Sequence, residues 1–352
     1  MLTAMDFTEL TAPPLPTERT FVRMPRTSFA TYVANVLIGV IGGFAVIFGV
    51  SGAVSANGKG QPVTATAYLI VALIACALIV GAIIRAVYRR RRYGVRTVVL
   101  GPRLPAFAAA NGLRLESEST EIPVTIVEPG TALKILDRRV RRRLRPADFD
   151  PSTPSAFELG DFHWRADHGG GRRGIADYVI GYAAVRLPRT LPRILLKSQA
   201  PGGSIRIGDP EQELPLEGDW GRHFTLYCPT GYERDALQIM TPDVMASMID
   251  GAGEWSAETE GAWLLFTTSR PFVLANADDY ERAFRLVDVA RQFHDQAEHY
   301  SDARIGDRSL DAVAEGGTRL RGGRSWPLIA AVIAPFALVA LVLLLPLFTG
   351  GR

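Results

Sequence analysis

The sequence predicts a multi-pass α-helical membrane anchor of three transmembrane helices joined to a cytoplasmic α+β domain with a mostly antiparallel sheet. Three observations predict this class. Three long stretches carry no charged residue, arginines cluster beside them, and residues 89–325 alternate between strand and helix patterns. The 352 residues carry a formal net charge of only +3, and the two cysteines provide no disulfide framework.

The uncharged stretches define the predicted anchor. Residues 27–86 hold two candidate spans, at about 30–54 and 65–86, joined by a short outer loop, and residues 326–348 form the third. Each reaches the roughly 20 apolar residues that are needed to cross a hydrocarbon core. A cleaved signal peptide is the alternative for the first stretch, but its apolar run exceeds the usual length of about 7 to 15 residues.

Basic residues beside the spans predict the orientation, since Lys and Arg remain on the cytoplasmic side. Arginines precede the first and third spans and follow the second. The prediction is a bacterial plasma (inner) membrane protein. Its N-terminal tail, residues 1–26, and its main domain, residues 89–325 with a core at about 100–300, lie in the cytoplasm, and its C-terminus lies outside.

Local patterns predict the elements of the domain. Leu104–Ala110 reads as a short helix that ends at Asn111-Gly112 and leads into a strand. Further strands are predicted at 157–166, 175–187, 192–198 and 223–228, and a hairpin at 254–269 turns around Glu260-Gly261.

Two longer helices are predicted from their caps. Thr241 precedes Pro242 as an N-cap, and Asn276 caps a helix that runs to residue 300, with Asp279 completing a capping box.

Two arginine runs predict contact with the anionic headgroups of a lipid bilayer. The first is Arg89, Arg90, Arg91 and Arg92, and the second is Arg138, Arg139, Arg141, Arg142 and Arg143 within residues 132–146, where apolar residues recur at roughly helical spacing. A basic amphipathic segment gains about 1 kcal/mol per basic residue near an anionic membrane surface. The alternative is a solvated basic element of the domain.

The stretch GDWGRHFTLYCPTGYERD, residues 218–235, suggests a thiol nucleophile because it places Cys228 near His223. Strand alternation sends these two side chains to opposite faces, so we interpret Cys228 as a buried structural cysteine. The glycines of residues 169–174 match a dinucleotide spacing, but a strand follows them where a helix is required. No cofactor and no metal site are predicted, since no histidine has a metal-binding spacing.

A catalytic site is predicted only in a weak form. Asp161, His163, His223 and Glu233 are the first candidates, because an enzyme would have to assemble its site from separate segments of the domain.

Residues 214–250, LPLEGDWGRHFTLYCPTGYERDALQIMTPDVMASMID, resemble a family of uncharacterised bacterial membrane-anchored proteins, mainly actinobacterial. The family shows the succession LEGDF, F-x-x-Y and LTP-x-x-M in a cytoplasmic domain after two N-terminal spans. This chain departs from the pattern at Trp220 and Gly221. The resemblance implies the architecture and location above and assigns no catalytic or binding residue.

The leading functional hypothesis is a membrane protein that presents a non-enzymatic interaction or sensing module. Its partners would be the lipid bilayer and other proteins or further copies of itself; nucleic acid is not expected, because no basic face with interleaved aromatics is present. An enzyme of membrane-linked metabolism or envelope assembly is the alternative, and an accessory subunit of a transporter is the third hypothesis. The uncharged spans argue against a transport path within this chain.

Overall fold

The computed structural model describes residues 5–12, 19–21, 49–55, 96–98, 100–121, 134–154, 156–167, 175–200, 208–216, 218–305 and 311–321, with single positions between 58 and 81. The chain divides into two compact units, Met1–Val22 with Arg96–Arg324, and Arg23–Val95 with Ser325–Arg352. The sheet and its helices belong to the first unit.

The first unit contains the following elements. The strands are β1 (Arg19–Phe21), β2 (Arg96–Val98), β3 (Leu113–Ser119), β4 (Lys134–Pro146), β5 (Phe157–Asp167), β6 (Ile175–Arg186), β7 (Leu195–Ser198), β8 (Glu213–Leu214), β9 (Phe224–Tyr227), β10 (Ser256–Glu260) and β11 (Trp263–Thr268). The helices are α1 (Thr8–Thr11), α2 (Leu104–Ala110), α3 (Trp220–His223), α4 (Glu233–Ile239), α5 (Pro242–Ala252) and α6 (Ala277–His299). Short 3₁₀ helices lie at Gly101–Arg103, Pro210–Gln212, Phe272–Leu274 and Glu315–Thr318.

A nine-stranded sheet in the order β3-β4-β5-β6-β11-β10-β7-β9-β8 organises the unit. Every pair of neighbouring strands in it is antiparallel, while β1 and β2 form a separate antiparallel pair. Strand β5 shows why the segment is a strand, since its side chains alternate between two apolar environments. Phe157 and Leu159 join the core beneath the helices, whereas Phe162 and Trp164 join a second cluster.

The main core lies between one face of the sheet and the helices. Phe107 of α2, Phe157 of β5 and Phe284 of α6 meet there, with ring centroids 5.8 and 5.9 Å from Phe284. Phe7, just before α1, stacks on Phe107 at 5.5 Å. Because each buried phenylalanine contributes about 1.5 to 3 kcal/mol relative to exposure, this cluster holds α1, α2 and α6 on the sheet.

Strand β4 contains a β-bulge at its centre. The pairing with β5 shifts between Arg141 and Leu144, and Arg142 has a positive φ of 52°. Gly160 lies opposite the bulge, where an added Cβ would be only 3.0 Å from the carbonyl oxygen of Arg141. The bulge therefore needs a glycine on β5, and it changes the direction of the next arginine, Arg143.

The two bulge arginines reach different buried carboxylates. Arg142 donates to Asp161 from both Nε and Nη2, at 3.0 and 2.8 Å. Arg143 is buried, donates to Glu116 and lies 3.6 Å from Glu158. Arg142 thus satisfies a carboxylate that would otherwise be isolated from water, whereas Arg143 hydrogen-bonds the partly exposed Glu116 and places its charge near the buried Glu158, whose Oε2 accepts no hydrogen bond from a described residue.

Asp161 also anchors the connection between β11 and α6. Its carboxylate accepts hydrogen bonds from the backbone N–H groups of Phe272, at 2.5 Å, and Val273, at 3.1 Å. The same connection passes close to Gly181 on β6, where an added Cβ would lie 2.7 Å from the carbonyl oxygen of Arg270. The start of α6 is therefore positioned by a buried carboxylate and a glycine of the sheet.

The predicted membrane anchor is corrected by the structure. Within the residues that the structure describes, no helix has both the length and the apolar composition required to cross a bilayer. This finding overturns the fold class with three transmembrane helices and the multi-pass location in a plasma membrane. Residues 30–48, most of 65–86 and all of 326–348 lie outside the described residues.

The described positions of the second unit show helical residues in close contact. An added Cβ at Gly49 would lie 2.9 Å from the carbonyl oxygen of Tyr68 and 3.0 Å from the Cβ of Ala72. Apolar, glycine-containing runs thus favour packing between helical segments as well as insertion in lipid. Composition alone does not distinguish the two.

The predicted caps and turns are confirmed. Thr241 accepts from the N–H of Val244 at the start of α5, and Asn276 and Asp279 form the capping box of α6. The β10–β11 hairpin turns at Gly261, whose φ is 59°.

Two local predictions are wrong. Residues 132–146 are not a helix-like amphipathic segment, because Lys134–Pro146 is strand β4 and pairs on both sides. Strand β9 begins only at Phe224, and His223 is the last residue of α3.

A network of charged and aromatic side chains binds the C-terminal end of α6 and the segment after it to α4. Asp302 accepts from the Tyr232 hydroxyl at 2.7 Å and from the N–H of Ala314 at 2.9 Å. The Arg304 guanidinium lies 4.0 Å from the centre of the Tyr232 ring and pairs with Asp235 at 2.9 Å. Segments 300–305 and 311–321 are therefore part of the domain.

We predict that Gly181→Ala lowers the free energy of unfolding by about 1 to 3 kcal/mol, because the new methyl group overlaps a backbone oxygen that cannot move away. Gly221→Ala is the matched control, since a Cβ there meets no atom within 4 Å, and should change stability by at most about 0.5 kcal/mol. Urea unfolding followed by tryptophan fluorescence measures both. Equal midpoints for the two variants would contradict the prediction.

We predict that Asp302 stabilises the fold at neutral pH and stops doing so in acid. Burial opposes its ionisation, but hydrogen bonds from the Ala314 and Arg304 N–H groups and the Tyr232 hydroxyl outweigh it and lower the pKa to about 2. The stabilisation is therefore complete above the unfolded pKa of about 4 and is lost as pH falls towards 2.

The measurement is the urea midpoint of the parent protein and of Asp302→Asn between pH 6 and 2.5. We expect a gap between the two midpoints at pH 6 that narrows below pH 4. A gap that stays constant through this range would show that the carboxylate charge makes no contribution.

Candidate functional site

A groove lies beside α6 on the helix side of the sheet, with a volume of about 440 Å³. We call it the α6 groove. Its residues come from the α2–β3 turn (111–113), the connection from β4 to β5 (146–156), the adjacent ends of β5 and β6, and the second half of α6. This volume lies within the range of about 300 to 1,000 Å³ that is usual for small-molecule pockets.

The floor of the α6 groove is apolar. It is formed by Leu113, Ala156, Phe157, Val185, Val287 and Ala290. All six are buried residues of the sheet, its flanking segments and α6, and most of them belong to the main core. The floor therefore consists of groups that are already held in place by packing, and it needs no rearrangement to receive an apolar group.

The helix contributes one long wall of the groove. Val287, Ala290, Arg291 and His294 line it and follow one stripe of α6 at the spacing i, i+3, i+4, i+7. Seven residues of helix rise about 10 Å, so this wall is at least that long.

Short turns build the opposite wall. The N–H of Thr153 donates to the carbonyl of Asp150 at 3.1 Å, and the N–H of Ala156 donates to the carbonyl of Thr153 at 3.0 Å. The N–H of Ala147 donates to Gly112 at 3.1 Å, which joins this segment to the α2–β3 turn. The wall is thus a set of hydrogen-bonded turns.

The rim of the groove carries an excess of negative charge. Arg291 pairs with Asp288 at 3.0 Å, so its charge is balanced. Asp150 accepts from the N–H and the hydroxyl of Ser152, which lowers the pKa of Asp150 and keeps it ionised. Asp148 is exposed and makes no ion pair or hydrogen bond with a described residue.

This arrangement can bind a group but offers little for catalysis. Neither a Cys nor a Ser nucleophile lines the α6 groove, and its single histidine, His294, lies 3.7 Å from Glu298 at the rim. Among the described residues, no three His, Cys, Asp or Glu side chains are grouped as a metal ion would require. The chemistry that the groove supports is burial of an apolar group next to a carboxylate.

Asp161 and His163, two of the four catalytic candidates, lie on the same strand but in different surroundings. Asp161 is fully buried, and its oxygens are used by Arg142 and by the N–H groups of the 3₁₀ helix that precedes α6. His163 lines a separate depression of about 310 Å³ with Arg139, Arg141 and Arg165. Burial and the charge of the nearby arginines lower the pKa of His163 to about 4, so the ring is neutral near pH 7.

His223 and Glu233 lie far from the first two candidates. Strands β5 and β9 are five steps apart in the sheet, which corresponds to roughly 24 Å at 4.8 Å per step. His223 is exposed and lies 4.0 Å from Asp219, while Glu233 accepts from the N–H of Gly231 at the start of α4. The structure therefore does not bring the four candidates into one site.

Cys228 is buried against apolar neighbours and takes no part in the groove. It is 2% exposed and belongs to the main core with Phe224 and Leu226. Burial, together with the charges of Glu233 and Asp235, raises the pKa of its thiol to about 11. A thiol in this environment is protonated at neutral pH and is not an activated nucleophile.

The arginines predicted to contact lipid have different environments. Arg89, Arg90, Arg91 and Arg92 lie outside the described residues. Arg142 and Arg143 serve the buried carboxylates, whereas Arg139 and Arg141 are about 40% exposed and both pair with Glu118. Arg138 is exposed and makes its own interaction. Contact with anionic headgroups stays a prediction.

Sequence reasoning missed the residues of the α6 groove. The sequence predicts the helix that starts after Asn276 without showing which of its residues line a cavity, and Asp148 and Asp150 fall in a segment to which no role was assigned. The one available signal was the DFDPSTP composition of residues 148–154, in which acids, prolines and turn residues predict an ordered, hydrogen-bonded loop. Its position opposite α6 depends on pairing between distant strands.

Comparison with known proteins identifies no family, since no family model and no curated protein matches the chain. Among solved structures, the chain is similar to the crystal structure of the mycobacterial trehalose monomycolate transport factor A, TtfA. The identity is 15% and the TM-score 0.35, over 56% of this chain and 93% of that chain. A match of this strength transfers no function to the chain.

We predict that Cys228 in the folded protein reacts with a disulfide reagent at pH 8 at least about a hundredfold more slowly than free cysteine. The reason is that burial removes both access and thiolate. The measurement uses a Cys76→Ser background. An exposed control cysteine is introduced as Glu211→Cys, with Cys228→Ser in the same chain, and should react at the rate of free cysteine. A Cys228 rate as fast as the control would contradict its assignment to the core.

Proposed function

We propose that the sheet domain is a non-enzymatic binding module that takes an apolar group of a ligand or partner into the α6 groove. The observation that carries this proposal is the preformed apolar floor between α6 and the 146–156 segment, with a carboxylate at its rim that has no partner among the described residues. The functional unit is the segment of about residues 100–300, with the C-terminal residues that pack on it.

Energetics supports binding at this place. Val287 and Phe157 are largely buried, yet they line an open cavity, so an apolar group that enters it removes further surface from water at about 25 cal/mol per Å². Both walls are held by regular hydrogen bonds, so little ordering of the protein is needed on binding.

The four catalytic candidates lie far apart in the domain. This separation supports a non-enzymatic binding module rather than an enzyme. Asp161 is committed to the structure of the domain, and His223 and Glu233 lie across the sheet from His163. A general acid or base must lie within hydrogen-bond reach of a shared substrate, which this spacing does not permit for the four together.

The signature of residues 214–250 supports grouping the chain with the uncharacterised actinobacterial proteins that it resembles. In the structure these residues run from β8 through α3, β9 and α4 to α5, and Trp220, Phe224 and Tyr232 are buried. The signature therefore marks the core of the domain, and the groove lies outside it.

The test is site-specific photo-crosslinking of the full chain in the cells that naturally produce it. We expect a benzoylphenylalanine at Thr153, on the rim of the groove, to give a discrete adduct. The same residue at Arg285, on the exposed side of α6, should give none. Gel mobility and mass spectrometry detect the adduct.

Filling the groove provides the matched comparison. His294→Trp introduces a large ring at the rim, whereas Glu281→Trp introduces the same ring on an exposed turn of the same helix. We expect the Thr153 adduct to disappear with His294→Trp and to persist with Glu281→Trp, while both variants keep the urea midpoint of the parent. An adduct that is equally strong at Arg285, or that survives His294→Trp, would refute a binding role for the groove.

A further inference from the structure

We propose that the occupant of the α6 groove is an extended peptide segment of a partner protein, in which an apolar side chain enters the groove and an adjacent Lys or Arg pairs with Asp148. This inference rests on the proposed function, since it specifies the chemical class of what the groove binds. Its support comes from the charge, length and shape of the groove.

The charge of the rim selects a cationic group. Of the charged residues that line the groove, Arg291 is neutralised by Asp288, whereas Asp148 and Asp150 have no basic partner among the described residues. Asp150 is held by Ser152, so its carboxylate has a fixed position, and Asp148 stands two residues before it with its carboxylate unused. An anionic occupant would face two acids without a free cation.

Many carboxylates of the domain differ from Asp148 in this respect. Glu116 binds Arg143, Glu118 pairs with Arg141, and Asp177 pairs with Arg165. Asp243, Asp250 and Asp278 also have no ion pair with a described residue, but they do not line the α6 groove. Asp148 is therefore distinguished by its position, since an acid without a basic partner beside an apolar floor is complementary to a basic group supplied from outside.

The dimensions of the groove suit an extended chain. The stripe of α6 that lines it is about 10 Å long, and three residues of extended peptide span about 10 Å at 3.3 Å per residue. Alternate side chains of such a segment point to opposite sides, so one apolar residue can face Val287 and Ala290 while its neighbour reaches the rim. This places the Lys or Arg next to the apolar residue in the partner sequence.

The experiment measures binding of fluorescein-labelled peptides to the purified full chain by fluorescence anisotropy. Three nine-residue probes alternate leucine with lysine, leucine with glutamate, and serine with lysine. We expect the leucine–lysine peptide to bind at least tenfold more tightly than either of the others, because it alone offers both an apolar and a cationic side chain. Raising the salt concentration from 50 to 500 mM should weaken its binding, since the ion pair is exposed.

Two charge reversals separate the groove from the rest of the surface. Asp148→Lys should weaken binding of the leucine–lysine peptide at least tenfold and improve binding of the leucine–glutamate peptide. Asp219→Lys makes the same change at an exposed aspartate before α3 and should leave both affinities unchanged. Thr153→Trp places a large ring over the groove. It should abolish the part of the anisotropy change of the leucine–lysine peptide that Asp148→Lys also removes.

The possible results distinguish this inference from the proposed function. Equal affinity for the leucine–lysine and leucine–glutamate peptides, or no effect of Asp148→Lys, would overturn the assignment of a basic peptide. If no peptide binds in a manner sensitive to Thr153→Trp while the photo-crosslinked adduct at Thr153 still forms, the basic-peptide inference fails and the binding module remains. Absence of the adduct at Thr153 would contradict the proposed function itself.

Discussion

The arrangement of the domain depends on how strand β4 directs two consecutive arginines. One extra residue at the bulge sends Arg142 to Asp161 and Arg143 to Glu116 and Glu158. An intact buried ion pair contributes little net stability, whereas removal of one partner typically costs about 3 to 5 kcal/mol, because the remaining charge stays buried. The pairs therefore mainly determine the register of β4, because a shift of this strand by one residue would leave Asp161 and Glu158 without their arginines. Gly160 belongs to the same constraint, since only glycine leaves space for the bulge.

The constraint extends from the sheet to the groove. Asp161 holds the N–H groups of Phe272 and Val273, and the chain then enters the capping box at Asn276 that starts α6. A helix of 23 residues that is fixed at its start by a buried carboxylate and along its length by aromatic packing has little freedom to move relative to the sheet. The floor of the groove and its helical wall are consequently rigid. The opposite wall consists of turns in a loop, and it is there that Asp148 and Asp150 lie.

Local features of the fold could be predicted from the sequence, because they depend on a few neighbouring residues. The caps at Thr241 and Asn276 and the turn at Gly261 are of this kind. The strand at residues 134–146 could not be recognised, because a bulge breaks its alternation and its arginines look solvated until Asp161 and Glu158 are placed beside them. The apolar runs were predicted to cross a bilayer because of their composition. Composition indicates that a segment is buried away from water, but it does not indicate whether lipid or protein surrounds the segment. The groove was invisible because its walls are joined through non-local strand pairing.

The distribution of charge on the domain connects its stability to its function. Arginines meet many of the described acids at contact distance, both in the interior and in exposed pairs such as Arg165 with Asp177. Exposed pairs of this kind contribute at most about 1 kcal/mol each, so their value lies less in stability than in cancelling the field of the surface. The two aspartates at the edge of the α6 groove have no basic partner among the described residues and produce a local negative potential beside an apolar floor. Apolar burial supplies affinity at such a place, and the charge determines which partner can approach and in which orientation.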